Sequence, residues 1–283
     1  MLRSPAMSPK SFDEILLVRT RGTRDDRAVV ASIEATARAH GVPVRPFGER
    51  SGRNPLVLSV GGDGTLLHAL ALSGGHLPLA GVNLGRLGYL ADFPPENIAR
   101  DLPVLLEGSG RADRRLLLAV ETESRGTDPV VALNDVVLAK NDGGRMIEIE
   151  TWIDGRFVCR HRSDGLVVAT ATGSTAYALS CAGPILEPTL PVFVLVPISP
   201  HNLTDRPLVV GASSRIELRV PAAYRERTIL SRDGSNTALP PEGWVRVVRA
   251  SHDLLLLHPP DYDPYAVLRA KLHWGSLPGD RRC

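Results

Sequence analysis

The sequence predicts two domains of different class: an α/β domain with a parallel sheet, then a β-rich, sandwich-like domain. Three observations predict this. Strand-length apolar runs alternate with helix-period segments over roughly the first hundred residues. From Arg115 onward the hydrophobic period shortens to two. The 283 residues exceed the usual single-domain size, and 43% hydrophobic content supplies enough apolar side chains for two cores.

Element by element, Ile15-Leu16-Leu17-Val18 reads as a short buried strand. Thr23-Arg24-Asp25-Asp26 resembles a capping box, and Val29, Val30, Ile33 and Ala37 then make one apolar helical stripe. A short strand is predicted from Val44 to Phe47, and further strands at Leu56–Val60 and Leu79–Val82. Pro94 to Glu107 reads as a helix with a proline start. In the second half Ile147, Ile149, Thr151 and Ile153 share one strand face, with Glu148, Glu150 and Trp152 on the other. Asp154-Gly155 reads as a two-residue hairpin turn into Arg156-Phe157-Val158. Strands follow at Val192–Val196, Arg215–Val220 and Val245–Val248.

The segment that carries chemistry opens the strand–helix junction after Leu56–Val60. Gly61-Gly62-Asp63-Gly64-Thr65 ends a strand and starts a helix, so its glycines admit a phosphate chain and the helix start offers N–H groups to an anion. Asp63 is the anomaly, because a carboxylate repels phosphate; it belongs there to hold a metal ion or to take a proton. The competing reading is turn chemistry, with Asp63 or Thr65 capping the helix. The Walker loop is excluded, since none of the three lysines (Lys10, Lys140, Lys271) is near Gly61, and the spacing is not that of the dinucleotide fingerprint.

Two further constellations follow. Leu166–Ala169 runs as a buried strand into Thr170, Thr172, Ser174 and Thr175, four hydroxyls within six residues able to donate to phosphate, ribose or a base edge, with Tyr177 adding an aromatic face. A Ser/Thr-rich cap explains the same residues equally well. Asn134-Asp135 interrupts the apolar run Val130–Leu138. Such a pair needs partners or a ligand; an amide suits an adenine edge and a carboxylate a ribose diol, while a hairpin turn is the simpler alternative.

Taken in order, Gly61–Thr65, Asn134-Asp135, Asp164-Gly165, Thr172-Gly173-Ser174-Thr175-Ala176-Tyr177, Pro200-His201 with Arg206-Pro207-Leu208, and Leu268-Arg269-Ala270-Lys271-Leu272 resemble the NAD kinase family from about Leu56 to Trp274. The first motif alone is shared with diacylglycerol, sphingosine and phosphofructo-kinases; the later ones narrow the likeness. The resemblance implies an NAD kinase-like two-domain architecture and phosphorylation of the adenosine 2′-hydroxyl of NAD by ATP or polyphosphate, with a divalent metal, Mg²⁺ or Mn²⁺. It implies Asp63 as proton acceptor and a phosphate loop of Gly61, Gly62, Gly64 and Thr65, with Gly64 along the pyrophosphate. Asn134 and Asp135 would hold adenine and ribose. Asp164, Thr172, Thr175, Ala176, Tyr177, Ala178, Leu179 and Ser180 would line the NAD pocket, and His68, Arg145 and Arg162 match ligand-contacting positions. Ala171 departs from the usual proline, Asp135 from glutamate and Ser235 from glutamine. The implied partition is residues 1–10 disordered, 11–110 the α/β domain, 111–250 the β-rich NAD-binding domain, and 251–283 a segment returning to the first domain. Family members assemble as dimers or tetramers, so a homo-oligomer is expected.

Composition bounds the partners. A net charge of +2 lacks the footprint of a nucleic-acid binder, although 30 of the 33 basic residues are arginines. No membrane-spanning run or signal core is apparent, and Cys159, Cys181 and Cys283 have no metal-ligand spacing. A cytoplasmic location is the expectation.

Overall fold

A computed structural model describes residues 12–19, 24–85, 88–123, 130–142, 144–202 and 204–272. The expected disordered N-terminus, Thr23 of the capping box, Trp274 and Cys283 lie outside these residues. The chain forms two compact units, residues 1–113 with 255–283, and residues 114–254.

The first unit begins with β1 (Glu14–Arg19), α1 (Arg24–Ala39), β2 (Val44–Pro46), β3 (Pro55–Gly61), α2 (Asp63–Ser73) and β4 (Leu79–Asn83). A 3₁₀ turn (Pro95–Asn97), α3 (Ile98–Leu106) and β5 (Arg111–Arg115) follow. The predicted helix from Pro94 therefore starts late. Pro94 precedes a second proline, which keeps it extended (φ −68°, ψ 136°), and Pro103 withholds an N–H inside α3. β1 pairs in parallel with β2 and β3, and β3 with β4. All seven residues of β3 are buried, as a parallel strand covered on both faces requires. Leu56, Leu58, Val60, Ala80 and Val82 pack with Ile33 and Ala37 of α1 and Ile98, Leu102 and Leu105 of α3. On the other face a Cβ at Gly81 would overlap Leu66 of α2 and Ala91, so glycine there lets helix and loop approach the sheet.

The second unit carries β6 (Leu118–Glu121), β7 (Val130–Ala132), β8 (Asp135–Lys140), β9 (Ile147–Ile153), β10 (Arg156–Ser163) and β11 (Gly165–Thr170). A 3₁₀ turn (Thr172–Thr175) and the short α4 (Tyr177–Ser180) come next. Then come β12 (Val192–Ile198), β13 (Leu208–Gly211), β14 (Ile216–Arg219), β15 (Thr228–Arg232), β16 (Ser235–Ala238) and β17 (Trp244–Arg249). They make two six-stranded sheets, ordered β10-β9-β14-β17-β6-β7 and β13-β12-β11-β8-β15-β16. Inward residues of the first sheet (Leu118, Ile147, Ile149, Leu218, Val247) interleave with those of the second (Val136, Leu138, Leu166, Val168, Phe193) in one core, a sandwich. The outer face of the second sheet is covered by Ala178, Cys181 and Leu186 against Val137, Val167 and Val194, which leaves all of β11 buried.

Two hairpins turn on Asp-Gly pairs with positive φ at both residues, Asp154-Gly155 and Asp233-Gly234. That is the turn whose twist matches paired strands. The second, between β15 and β16, was not among the predicted strands. From residue 255 the chain rejoins the first unit: β18 (Leu254–His258) sits between β4 and β5, giving the order β2-β1-β3-β4-β18-β5, and α5 (Pro264–Leu272) follows.

Candidate functional site

Each unit carries one half of the predicted chemistry, and each half is built around an aspartate that gathers three backbone N–H groups. In the first unit that residue is Asp63, the first residue of α2. Its Oδ2 accepts from the Tyr89 N–H at 2.9 Å, and its Oδ1 accepts from Leu90 at 3.1 Å and Ala91 at 2.9 Å. The N-cap position of α2 is Gly62, which offers no side-chain cap, and both Asp63 oxygens are turned to the 89–91 loop. A Cβ at Gly88 would overlap Asp63 Oδ1, so only glycine lets the loop fold down onto the carboxylate.

Gly62 and Gly64 are different. Neither has positive φ, and a Cβ on either would meet nothing within 4 Å. Neither the packing nor the backbone of the protein demands glycine there. The open space lies at the helix N-terminus and at the carboxyl end of β3, where ligands of parallel α/β sheets bind. Gly61 closes β3 and Thr65 is buried in the first turn. His68, five residues on, lies about 140° round the helix from Asp63. It lines a separate cavity of ≈ 500 Å³ with Arg19, Glu34, Arg45 and Phe47, so the structure does not bring it to the carboxylate.

In the second unit the gathering residue is Asp233, which sequence reasoning passed over. Its carboxylate accepts from Leu133 at 2.7 Å, Asn134 at 2.8 Å and Asp135 at 3.1 Å. The Asn134-Asp135 step is thus no hairpin: the chain crosses from β7 in one sheet to β8 in the other, and Asp233 holds the crossing. The Asp-Gly of its own hairpin was the available signal. Asp135 is 5% exposed. Burial first, then the Asp233 charge, raises its pKa from 3.8 to about 7, while the Tyr177 N–H bonded to its carboxylate opposes the rise. Asp233 is itself raised by burial, against the pull of its three N–H partners.

The Thr/Ser turn packs on this crossing. A Cβ at Gly173 would overlap the Asn134 backbone. The four hydroxyls, read equally as ligand donors or as a cap, donate to nearby backbone carbonyls. Thr170 donates to the Leu133 carbonyl at 2.6 Å, Ser174 to Ala171 at 2.7 Å, Thr175 to Thr172 at 3.1 Å and Thr172 to Pro188 at 3.4 Å. Tight turns leave carbonyls without partners, and short hydroxyl side chains meet them locally. The buried Arg115 also reaches Thr172 Oγ1, at 3.5 Å. Of the segment that follows, Ala178 is buried, Thr175, Ala176 and Leu179 are half-buried, and Tyr177 and Ser180 are exposed. Burial raises the pKa of the Tyr177 hydroxyl, and its hydrogen bond with Cys181 adds to this.

Arg162 and Arg145 do not join this group, and Asp164 reaches it only through the Tyr177 hydroxyl, which feels the charges of both Asp135 and Asp164. Asp135 pairs with Ala169 at one end of β11 and Ala139 with Gly165 at the other. Asp164 thus stands about 20 Å from the Thr172 turn along the strand. There it is paired with Lys140 at 2.7 Å. Arg162 and Arg145 are exposed, and the Arg145 carbonyl accepts from Arg227 at 2.8 Å.

Among the described residues no group of three or more His, Cys, Asp and Glu side chains could hold a metal ion, and both Asp63 oxygens already accept N–H bonds. His258 is fully buried against Asp92, Nδ1 to Oδ2 2.6 Å. Among the described residues no helix is long and apolar enough to cross a membrane.

Two family profiles match the chain. The profile described as ATP-NAD kinase N-terminal domain matches residues 47–110, and that of the ATP-NAD kinase C-terminal domain matches residues 133–258. A NAD kinase of Nitrosococcus oceani is 46% identical over 231 residues, 80% of this chain and 79% of its own. An Archaeoglobus fulgidus NAD kinase solved in complex with ATP superposes with a TM-score of 0.77 at 28% identity, over 92% of this chain and 98% of that one. The yeast NADH kinase solved with NADH gives 0.85 at 21% identity, over 96% and 91%; this last likeness shows the fold.

Proposed function

The chain belongs to the NAD kinase family, and from that premise we propose that it transfers the terminal phosphoryl group of ATP, or of polyphosphate, to the 2′-hydroxyl of the adenosine ribose of NAD, giving NADP. The observation that carries the reading is the junction of β3 and α2. A carboxylate is fixed there by three N–H bonds, beside two glycines that nothing in the fold requires.

In this reading the phosphate chain of a nucleotide lies against the helix start at Gly62 and Gly64. Asp63 Oδ2 holds one N–H bond and retains acceptor capacity for the ribose hydroxyl proton. The proton moves to the carboxylate as the hydroxyl oxygen forms its bond to phosphorus and the bond to the donor's leaving phosphate breaks. Asp135, raised to about 7, is able to give a hydrogen bond to a ribose oxygen when protonated and to accept one when ionised. Asn134 offers an amide to the adenine edge, and Tyr177 an exposed ring. A divalent ion, Mg²⁺ or Mn²⁺, enters with the substrate, carried on the donor's phosphates. A homo-oligomer and a cytoplasmic location go with the family likeness.

A second reading of Asp63 rests on the same three N–H bonds: it positions the 88–91 loop and leaves the proton to solvent. The test of the function is direct. NAD and NADH are offered with ATP or polyphosphate and Mg²⁺, and the product is placed by phosphorus NMR. A phosphoryl group on the adenosine 2′-oxygen is the expected result; a product phosphorylated elsewhere, or none with any donor, ends the proposal.

A further inference from the structure

Neither the family reading nor the proposed reaction uses a second cluster, on the edge strand β10. Cys159 Sγ lies 3.0 Å from His161 Nε2, and His161 Nδ1 lies 3.0 Å from Asp205 Oδ2. Cys159 and His161 project from the same face of β10 because they are two residues apart. Asp205 comes from the segment between β12 and β13, whose His201 N–H bonds to the Arg162 carbonyl at 2.9 Å. The ring tautomer follows from these partners: Nδ1–H donates to the carboxylate, which leaves Nε2 to accept from the thiol.

A fourth group stands on the same face. Thr151 is directly across the sheet from Cys159 in the β9–β10 register. It is 1% exposed, and its buried hydroxyl has no hydrogen-bond partner. A buried hydroxyl without a partner is costly, and a thiolate beside it would supply the acceptor. The thiol itself is reachable. Cys159 is partly exposed between exposed Val158 and Arg160, and the β9–β10 register shifts between Phe157 and Cys159. Arg160 is held by Glu150 and Glu148.

We propose that Cys159, His161 and Asp205, with Thr151 beside them, form a modification site at which Cys159 is a reactive thiol for small-molecule disulfides. The thiol proton passes to His161 Nε2. The sulfur then attacks one sulfur of the disulfide; a new S–S bond forms, the old one breaks, and the departing thiolate takes the proton back from Nε2. The products are a mixed disulfide on Cys159 and one free thiol. This is nucleophile, base and orienting carboxylate in hydrogen-bond reach of one another. The hydrogen bond with Cys159 is also the main cause raising the His161 pKa, against its burial, and Asp205 reinforces it. Cys181 supplies the internal contrast, because burial pushes its thiol up.

The test uses the whole protein and the aromatic disulfide dithiodipyridine. Labelling rates of Cys159, Cys181 and Cys283 are followed by peptide mass spectrometry from about pH 5 to 9. Cys159 is expected to react at least about tenfold faster than the others near pH 6, with a rate that stays nearly flat with pH where theirs falls. His161→Gln and Asp205→Asn are expected to bring Cys159 toward the ordinary steep profile, His161→Gln the further of the two. A wild-type Cys159 profile parallel to that of Cys181 overturns the proposal without recourse to any variant. So does an unchanged profile in a folded His161→Gln protein.

Discussion

Of three aspartates at the candidate site, two share one local chemistry and the third is set apart by burial. Asp63 and Asp233 each collect three backbone N–H groups and so pin a loop; Asp135 is buried beside Asp233 and carries a raised pKa. Asp63→Asn replaces one acceptor oxygen with an NH₂ group facing an N–H, so it disturbs the loop as well as removing a base. We expect kcat to fall by about 10²–10⁴-fold, and hydrogen exchange at Tyr89, Leu90 and Ala91 to quicken. If NAD affinity falls as steeply as kcat, the positioning role is the correct one. For Asp135 the sign follows from the raised value. Between its ordinary 3.8 and about 7 the folded carboxyl keeps a proton that the unfolded one has lost. The stability tied to it is fully present below the lower value and declines as pH rises through the upper one. Asp135→Asn has no such decline. Denaturant titrations should show wild type losing roughly 2–4 kcal/mol relative to this variant from about pH 4 to pH 8; parallel curves would contradict the burial argument. Asp63 was legible in the sequence because three glycines surround it. Asp233 was not, because its importance lies in N–H groups about a hundred positions earlier in the chain.

At the scale of elements, the strand–glycine turn–helix unit was readable and its glycines can be separated experimentally. Gly64 lies in the first turn of α2 with open space where its Cβ would go. Gly64→Ala should therefore leave the fold intact or stabilise it by about 0.5–1 kcal/mol, while raising KM for the nucleotide. A loss of thermal stability with unchanged kinetics would show that the glycine serves the fold. The Thr172–Thr175 turn gives the opposite lesson. Its hydroxyls matched a ligand-facing pattern and a capping pattern equally, and the structure directs them to carbonyls of the same turn and of its neighbours. Residue type fixes what a hydroxyl is able to donate, while its rotamer and the nearest carbonyl fix where. β15 and β16 escaped prediction because β15 has only two apolar residues, Ile229 and Leu230, and β16 is short and exposed throughout, although Asp233-Gly234 marked the turn between them.

At the scale of the molecule, the C-terminal strand is the most consequential piece of topology. β18 lies inside the first unit's sheet, between β4 and β5, with Leu256 and Leu257 fully buried. A chain ending at residue 254 would lose an interior strand, and we expect it to lose most of the helical circular dichroism contributed by α1, α2 and α3. Retention of that signal would mean the sheet is complete without β18. By itself the sequence determined the class of both units, the strand–glycine turn–helix junction and the family. Each of these is written in local periodicity or in contiguous motifs, where neighbours in the chain are neighbours in space. Only the tertiary structure decided that Asp63 is tied to the 88–91 loop, that Asp233 holds the Asn134-Asp135 crossing, that Asp164 stands a strand's length from Asp135, and that a cysteine, a histidine and an aspartate meet on β10. Those are hydrogen bonds and burials between segments distant in the chain. Their free energies depend on what the fold places opposite each group, and no local pattern encodes that.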